Sequence, residues 1–519
     1  MVEAHLEDRF EQTIKARVGG QANEPRSDLR VENVGRNGAE VQSEGDQVGR
    51  GCMHQFLDGG VGDELAKRSQ RSARKRVDQR DLISDCELYE AELWRVCLLP
   101  QEFGVEGAAA GLARLSDDCL DPGGVGDDTG SRWHSHSLPP PLATGGILPG
   151  MGVPLMDLRG QWKPLHERII ATVGEVIVSG VFILGPNVKA FEAEAAADLG
   201  VAHAVGVANG TDALMLALRA HDVGIGDEVI CPAYTFYATP ESIAAVGATP
   251  VFADIDAATF QIDPAGVEAA ITERTRAIMA VHLFGHPAPM RELRAIADRK
   301  GLLLIEDAAQ SYGAKLDGIR CGAIGDIATF SFFPTKNLGG FGDGGLVTTN
   351  DAAVAERIRE LRFHGSKDKR TFTQIGMNSR LDELQAAILR ILLPELAGWN
   401  AARRQVAERY AALGLDRFVE LPGTAVGAEP IYHLYVVRSV DRDAVQARLK
   451  LAGVGAAIYY DTPHHLQPVF LDLGYRVGSL PETERASREG LALPMYPTLS
   501  EAEQEIVVDA LAASVVSIS

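Results

Sequence analysis

From about residue 200 onward the chain alternates short apolar runs with segments of helix length, and this rhythm restricts the fold more than any other feature of its 519 residues. Strands are expected at 228–231, 250–255, 277–283, 302–306, 327–332 and 345–348, with helices between them at 212–220, 240–246, 264–271 and 289–300. Such alternation predicts βαβ units on a mostly parallel sheet, an α/β fold. The unbroken run Leu302-Leu303-Leu304-Ile305 is what a strand covered on both faces reads like. Beyond Pro394 the pattern changes to a long helix at 395–413, a strand at 433–437 and further helices. The expected organisation is a large domain over 151–395 and a smaller α+β domain over 396–519.

Residues 1–150 differ in texture. They are rich in Arg, Asp, Glu, Gly and Ser, carry few periodic apolar segments and end in the linker-like Ser137-Leu138-Pro139-Pro140-Pro141. Either they form a disordered or accessory extension, or the functional start is Met151 or Met156; the second reading is favoured. Trp133, His134 and His136 cluster there without the spacing of a site.

Charge and cysteine usage exclude several functions. A formal charge of -21 argues against nucleic acid and anionic membrane surfaces as partners, so an anionic ligand must be held by local donors. The sequence has no membrane-length apolar run and no apolar core of a secretory signal at its start, and its six scattered cysteines show no metal-ligand spacing. A cytoplasmic protein with reduced thiols and no metal site is expected.

In an open α/β sheet, ligands gather beyond the carboxyl ends of the strands. The strand at 302–306 leads into Glu306-Asp307-Ala308-Ala309-Gln310, and the strand at 327–332 into Pro334-Thr335-Lys336-Asn337. Asp307 and Lys336 at neighbouring strand ends read as a buried ion pair or as reactive groups. Asn209-Gly210-Thr211-Asp212 opens a helix, where free N–H groups and a hydroxyl suit a phosphate or where Thr211 or Asp212 simply caps. Tyr234-Thr235-Phe236 supplies aromatic faces or ordinary core. A nucleophilic lysine, a carboxylate, an anion cradle and an aromatic face together match the needs of pyridoxal 5'-phosphate. The glycines from Gly339 to Gly345 are read as permitting tight turns and close backbone approach.

These segments, with Gly226-Asp227-Glu228-Val229-Ile230, Val281-His282-Leu283-Phe284-Gly285, Gly342-Asp343-Gly344-Gly345 and Asn378-Ser379-Arg380-Leu381-Asp382, resemble the DegT/DnrJ/EryC1/StrS family. That family consists largely of pyridoxal-phosphate-dependent sugar aminotransferases of the aspartate-aminotransferase fold (fold type I). The resemblance implies that Lys336 captures the cofactor's aldehyde, Asp307 partners its ring nitrogen, Gln310 lies near its phenolic oxygen and Phe236 stacks on its ring. It further implies that Gly210, Thr211 and Ser331 hold the phosphate, and that Asn378 reaches the phosphate of a neighbouring subunit in a homodimer. Dehydratases of the family carry histidine at the lysine position, so Lys336 implies amine transfer.

The implied reaction passes an amino group, most often from glutamate, to a keto-sugar nucleotide. A cyclitol ketone as acceptor, and a regulatory or sensory protein without catalysis, remain as alternatives. The run His464-His465-Leu466-Gln467-Pro468 resembles a family segment associated with amination at sugar carbon 3, though Asp461-Thr462 replaces the expected proline turn and the two histidines also read as rim residues. The basic run Lys367-Asp368-Lys369-Arg370 reads as a diphosphate contact or as a solvated loop.

Overall fold

A seven-stranded sheet forms the centre of the computed structural model, which describes residues 152–516; the expectations for residues 1–150 lie outside that range. In chain order its strands are β1 (His203–Val207), β2 (Glu228–Pro232), β3 (Thr249–Ala253), β4 (Thr275–Val281), β5 (Leu303–Asp307), β8 (Ile327–Ser331) and β9 (Gly345–Thr349). A small hairpin, β6 (Lys315–Leu316) and β7 (Ile319–Arg320), interrupts them between β5 and β8. The spatial order is β1-β9-β8-β5-β4-β2-β3. All neighbours pair in parallel except that β9 runs against both β1 and β8.

Every strand expected within the sheet is present. β1 is the addition, and its sequence His-Ala-Val-Gly-Val explains why it was missed: it is short and carries a glycine in its interior. Gly206 is required there, because a Cβ would lie 3.0 Å from the Leu381 Cβ packed over it.

Side chains alternate between two helical layers. Ile305 and Ile327 face one layer, made by α4 (Gly210–Ala220), α5 (Ala238–Ala245) and α8 (Ala352–Leu361). On the other face, Phe330 and Leu346 pack on α3 (Pro186–Leu199) and α9 (Glu383–Leu392), and Leu304 and Ile278 on α6 (Pro264–Ala270) and α7 (Met290–Lys300). Ahead of these lie the single turn α1 (Leu158–Trp162) and α2 (His166–Ser179). Period-2 burial thus explains why the strands read as continuous apolar runs.

The C-terminal part follows its own pattern. The helix α10 (Leu396–Ala412) leads to a short β10 (Ala428–Glu429), and β11 (Tyr435–Arg438) pairs antiparallel with β12 (Gly490–Leu493). Val406, Tyr410, Val437, Leu449, Leu491 and Leu511 share one core with α11 (Arg442–Leu451) and α13 (Glu501–Val516); α12 (Pro481–Glu489) precedes β12. Arg403 of α10 is buried and donates through Nη1 to the carbonyls of Tyr432 (3.1 Å) and Met495 (2.9 Å), tying both strand approaches to the helix. Among the described residues no helix is long and apolar enough to cross a membrane.

The start of α3 is held from far along the chain. Pro186 sits in its first turn, and the buried Glu383 carboxylate accepts from Asn187 N–H (2.9 Å) and Val188 N–H (2.8 Å). A carboxylate at a helix N-terminus both satisfies free donors and meets the positive end of the helix dipole. Glu383→Ala leaves two donors unsatisfied, one of them fully buried, and is expected to lower unfolding free energy by about 1–3 kcal/mol. Glu383→Gln should lose clearly less, as read from urea denaturation midpoints.

Candidate active site

Because β5 and β8 are parallel neighbours, their carboxyl ends open on the same edge of the sheet. β5 ends at Asp307 and β8 at Ser331, and the loop leaving β8 carries Lys336. Asp307 is 4% exposed. Its Oδ2 accepts from the Thr239 hydroxyl at 2.8 Å and its Oδ1 from Ala309 N–H at 3.2 Å.

Burial acts on this pair in opposite directions. Loss of water raises the Asp307 pKa, held back by the Thr239 and Ala309 hydrogen bonds and by the positive charge of Lys336. Loss of water lowers Lys336 to about 8, held up by the negative charge of Asp307. A lysine amine in this range is unprotonated in a useful fraction at neutral pH, which an ordinary surface lysine is not.

The residue before Asp307 faces away from the ligand edge and anchors it. Glu306 accepts from the backbone N–H groups of Gly322 (2.7 Å), Ile324 (2.7 Å) and Gly325 (2.6 Å), and from His282 Nε2 at 2.8 Å. Ala288 N–H donates to His282 Nδ1 at 2.9 Å, so Nδ1 bears no proton and the imidazole is neutral, with its one N–H on Nε2. His282 N–H in turn donates to the Asp307 carbonyl at 3.0 Å. Both faces of the strand end are therefore fixed.

On the exits of β1 and β8 lie the residues expected to form an anion cradle. Asn209 caps α4, its Oδ1 accepting from Asp212 N–H at 2.8 Å, so capping falls to Asn209 rather than to Thr211 or Asp212. Gly210 and Thr211 then form the first turn. Ser331 presses against Gly210: a Cβ there would stand 2.8 Å from the Ser331 Cβ and 3.3 Å from its Oγ. Gly345 is required for a similar reason, since its Cβ would fall 2.3 Å from the Asn209 carbonyl oxygen.

Phe236 follows β2 with its ring 56% exposed and 6.2 Å from that of Tyr460. Gln310 is buried and oriented at both ends: its Oε1 accepts from Phe284 N–H (2.7 Å) and its Nε2 donates to the Tyr460 hydroxyl (3.2 Å). Asp307, Lys336, Gln310, Gly210, Thr211, Ser331 and Phe236 thus all sit on strand exits of one sheet edge. Asn378 stands apart: it is exposed, its backbone bridges Phe363, and no hydrogen bond links its side chain to the other seven.

The model of the DegT/DnrJ/EryC1/StrS aminotransferase family matches residues 164–512. The chain belongs to this family. It is 50% identical to the pleiotropic regulatory protein of Geobacillus stearothermophilus, over 70% of this chain and 98% of that one. It is 47% identical to the UDP-N-acetyl-3-dehydro-α-D-glucosamine 3-aminotransferase of Acidithiobacillus ferrooxidans, over 67% and 94%. Among solved structures, Streptomyces venezuelae DesV in complex with a ketimine intermediate superposes with a TM-score of 0.68 at 45% identity, over 70% of this chain and 98% of that chain. The α/β aminotransferase fold expected from the sequence is the fold observed.

Two of the alternatives left open by the sequence are narrowed by the structure of this aminotransferase. His464 and His465 are not rim residues: both are buried, His464 Nε2 donating to the Thr235 carbonyl (2.7 Å) and His465 Nε2 to Glu484 (3.2 Å). In the basic loop, Lys367 is engaged by Glu360 (3.0 Å) and Glu356 (3.3 Å), and the Lys369 ammonium lies 4.6 Å from the Phe363 ring centre. Among the described residues, neither Lys369 nor Arg370 forms a salt bridge with an acidic side chain.

Sequence reasoning also missed Thr239, Tyr460 and Asn337. Asn337, next to Lys336, is buried and fixed by Nδ2 donation to Asn400 Oδ1 (2.8 Å) and by His433 Nδ1 at 3.3 Å from its Oδ1. Its partners come from α10 and the approach to β11, a distance in sequence that local patterns do not encode. In cofactor-free protein, acylation of Lys336 should show a midpoint near pH 8, against an ordinary lysine near 10.4. Asp307→Asn removes the charge that holds this value up, so the midpoint should move lower still, as read by peptide mass spectrometry across pH.

Proposed function

We propose that this chain is a pyridoxal 5'-phosphate-dependent aminotransferase that passes the amino group of glutamate to carbon 3 of a keto-sugar nucleotide. The observation that carries this reading is the buried Asp307 carboxylate opposing a Lys336 amine of lowered basicity at adjacent strand ends. The residues fit the cofactor. Gly210 leaves no Cβ between Ser331 and the first turn of α4, so two hydroxyls, of Thr211 and Ser331, and free N–H groups can converge on a phosphate. Asp307 is the acidic partner for the ring nitrogen, Phe236 supplies a face for the ring, and Gln310 offers its remaining N–H to the phenolic oxygen.

When bound, the cofactor supplies a conjugated ring that accepts electrons from the donor's Cα. The protein's part is positioning and proton transfer. Asp307 holds the compensating negative charge, and burial keeps water from screening it. Lys336 Nζ, unprotonated in part near pH 7–8, would carry the proton that leaves the donor Cα to the cofactor carbon in the first half-reaction, and from that carbon to the acceptor carbon in the second. Asn337, locked by Asn400 and His433, fixes the loop from which Lys336 acts.

The choice of carbon 3 rests on the activity for which the A. ferrooxidans relative is named and on the His-Leu-Gln-Pro run of this chain. The regulatory name of the G. stearothermophilus relative does not weigh against catalysis here, since Lys336 and Asp307 are both in place. A homodimer completes the site through Asn378 of the partner subunit. Exposed Ile170, Ile177 and Val178 of α2, with Val181, Phe182 and Ile183 after it, give an apolar surface that such a dimer would cover.

Protein loaded with pyridoxal phosphate should show a visible band that bleaches on adding glutamate, and Lys336→Ala should form no such band. Asp307→Asn should retain the fold and lose about 10²–10³ in turnover. A panel of 3-keto and 4-keto sugar nucleotides offered to the pyridoxamine form then tests the acceptor: oxidation by the 4-keto members alone would reject carbon 3. Because Lys367 is spent on two glutamates, Lys367→Ala should leave the sugar-nucleotide KM within about twofold.

A further inference from the structure

We infer that Thr239, oriented by Thr235, is a positioning residue that keeps the Asp307 carboxylate ionised and aimed along the ligand edge. This deepens the aminotransferase reading and rests on it for the identity of Asp307's partner. Thr235 and Thr239 are each 1% exposed, and Asp307 is 4% exposed. Their oxygens form a chain, with Thr235 Oγ1 3.0 Å from Thr239 Oγ1 and Thr239 Oγ1 2.8 Å from Asp307 Oδ2.

The chain has only one direction. An ionised carboxylate accepts and never donates, so the single Thr239 proton is committed to Asp307. Thr239 must then accept from Thr235, whose proton is committed in turn. Hydrogen bonds to a charged acceptor are about twice as strong as neutral ones, and here no water competes. A protonated Asp307 would accept more weakly on Oδ2 or would require the hydroxyl chain to reverse, so a hydroxyl donating to Oδ2 favours the charged form.

Both threonines are fixed through their backbones as well as their hydroxyls. The Thr239 carbonyl accepts from Ser242 Oγ at 2.9 Å, and Thr239 N–H donates to the Phe236 carbonyl at 3.2 Å. The Thr235 carbonyl accepts from His464 Nε2 at 2.7 Å, and His464 N–H donates to the Ala233 carbonyl at 3.0 Å. Burial lowers His464 to about 4, so the imidazole remains a neutral, constant donor near pH 7. The C-terminal segment that carries His464 and Tyr460 therefore sets the backbone from which Thr235 acts.

The other groups facing Asp307 cannot substitute for Thr239. These are Lys336, His282, Cys231 and Tyr460. His282 is neutral because its Nδ1 accepts from Ala288. Burial keeps the Cys231 thiol and the Tyr460 phenol protonated and uncharged. Lys336 must be uncharged to act as a base, so only Thr239 and Ala309 N–H support the carboxylate without interruption.

The test compares Thr239→Val, Thr239→Ser and Thr235→Val in the full chain. Equilibrium binding of pyridoxal phosphate is followed by absorbance between pH 5 and 9. In the wild type, affinity should fall as acid protonates Asp307. Thr239→Val should move that fall upward by about one pH unit, the equivalent of one charge-assisted hydrogen bond. Thr235→Val should move it less, and Thr239→Ser should stay at the wild-type position. Affinity that drops equally at every pH in Thr239→Val, or a fall that does not move, would show a packing role and overturn the inference. Infrared titration of isotope-labelled aspartate in cofactor-free protein, with Asp307→Asn identifying the band, provides a separate arm. If the wild type binds no pyridoxal phosphate, the functional reading fails, while the inference still stands or falls on whether Thr239→Val raises the Asp307 titration.

Discussion

A carboxylate deprived of water is stable only if something replaces the solvent, and at Asp307 that replacement organises the surrounding structure. One oxygen takes a hydroxyl from α5, the other a backbone N–H from the turn beyond β5, and the lysine charge comes from the loop beyond β8. Three elements are therefore committed to a single side chain. The desolvation that would otherwise protonate Asp307 also weakens the basicity of Lys336, so withdrawal from water prepares both groups. Neither shift would survive at an open surface, where water and salt would screen the pair.

The strand end itself gains rigidity from a second buried carboxylate. Glu306 spends its oxygens on three backbone N–H groups and on His282, all on the side away from the ligand edge. Consecutive residues of a strand face opposite ways, so an acidic pair in sequence becomes one structural anchor and one site group. The identity of the residues does not reveal which does which.

Much of this was legible from the sequence because it is periodic or local. The strands at 302–306 and 327–332 announce themselves by apolar runs, and Asp307 and Lys336 follow from where those strands must end. The gaps arise where partners come from distant segments. Thr239 reads as an ordinary residue at a helix start, and only the fold brings it to Asp307, across β2 and β4. His464 looked like a rim residue because its burial depends on contact with Thr235, more than two hundred positions earlier in the chain. The basic loop looked available because the glutamates that occupy Lys367 lie on α8, one turn apart on the same helical face. β1 was overlooked for a related reason, since its place in the sheet comes from β9 rather than from its own composition.

That last pairing bears on how the protein acquires its site. β1 stands at the sheet edge and finds its sheet partner in β9, so the two can meet only after nearly all of the intervening chain has been made and compacted. Gly210, at the start of the helix hung from β1, packs on Ser331, the final residue of β8, with Gly345 of β9 closing against Asn209. Contacts of such long sequence separation form slowly. During synthesis, then, Lys336 emerges before β9 exists to pair with β1 or Gly345 to close against Asn209, so the edge on which it sits is completed after it.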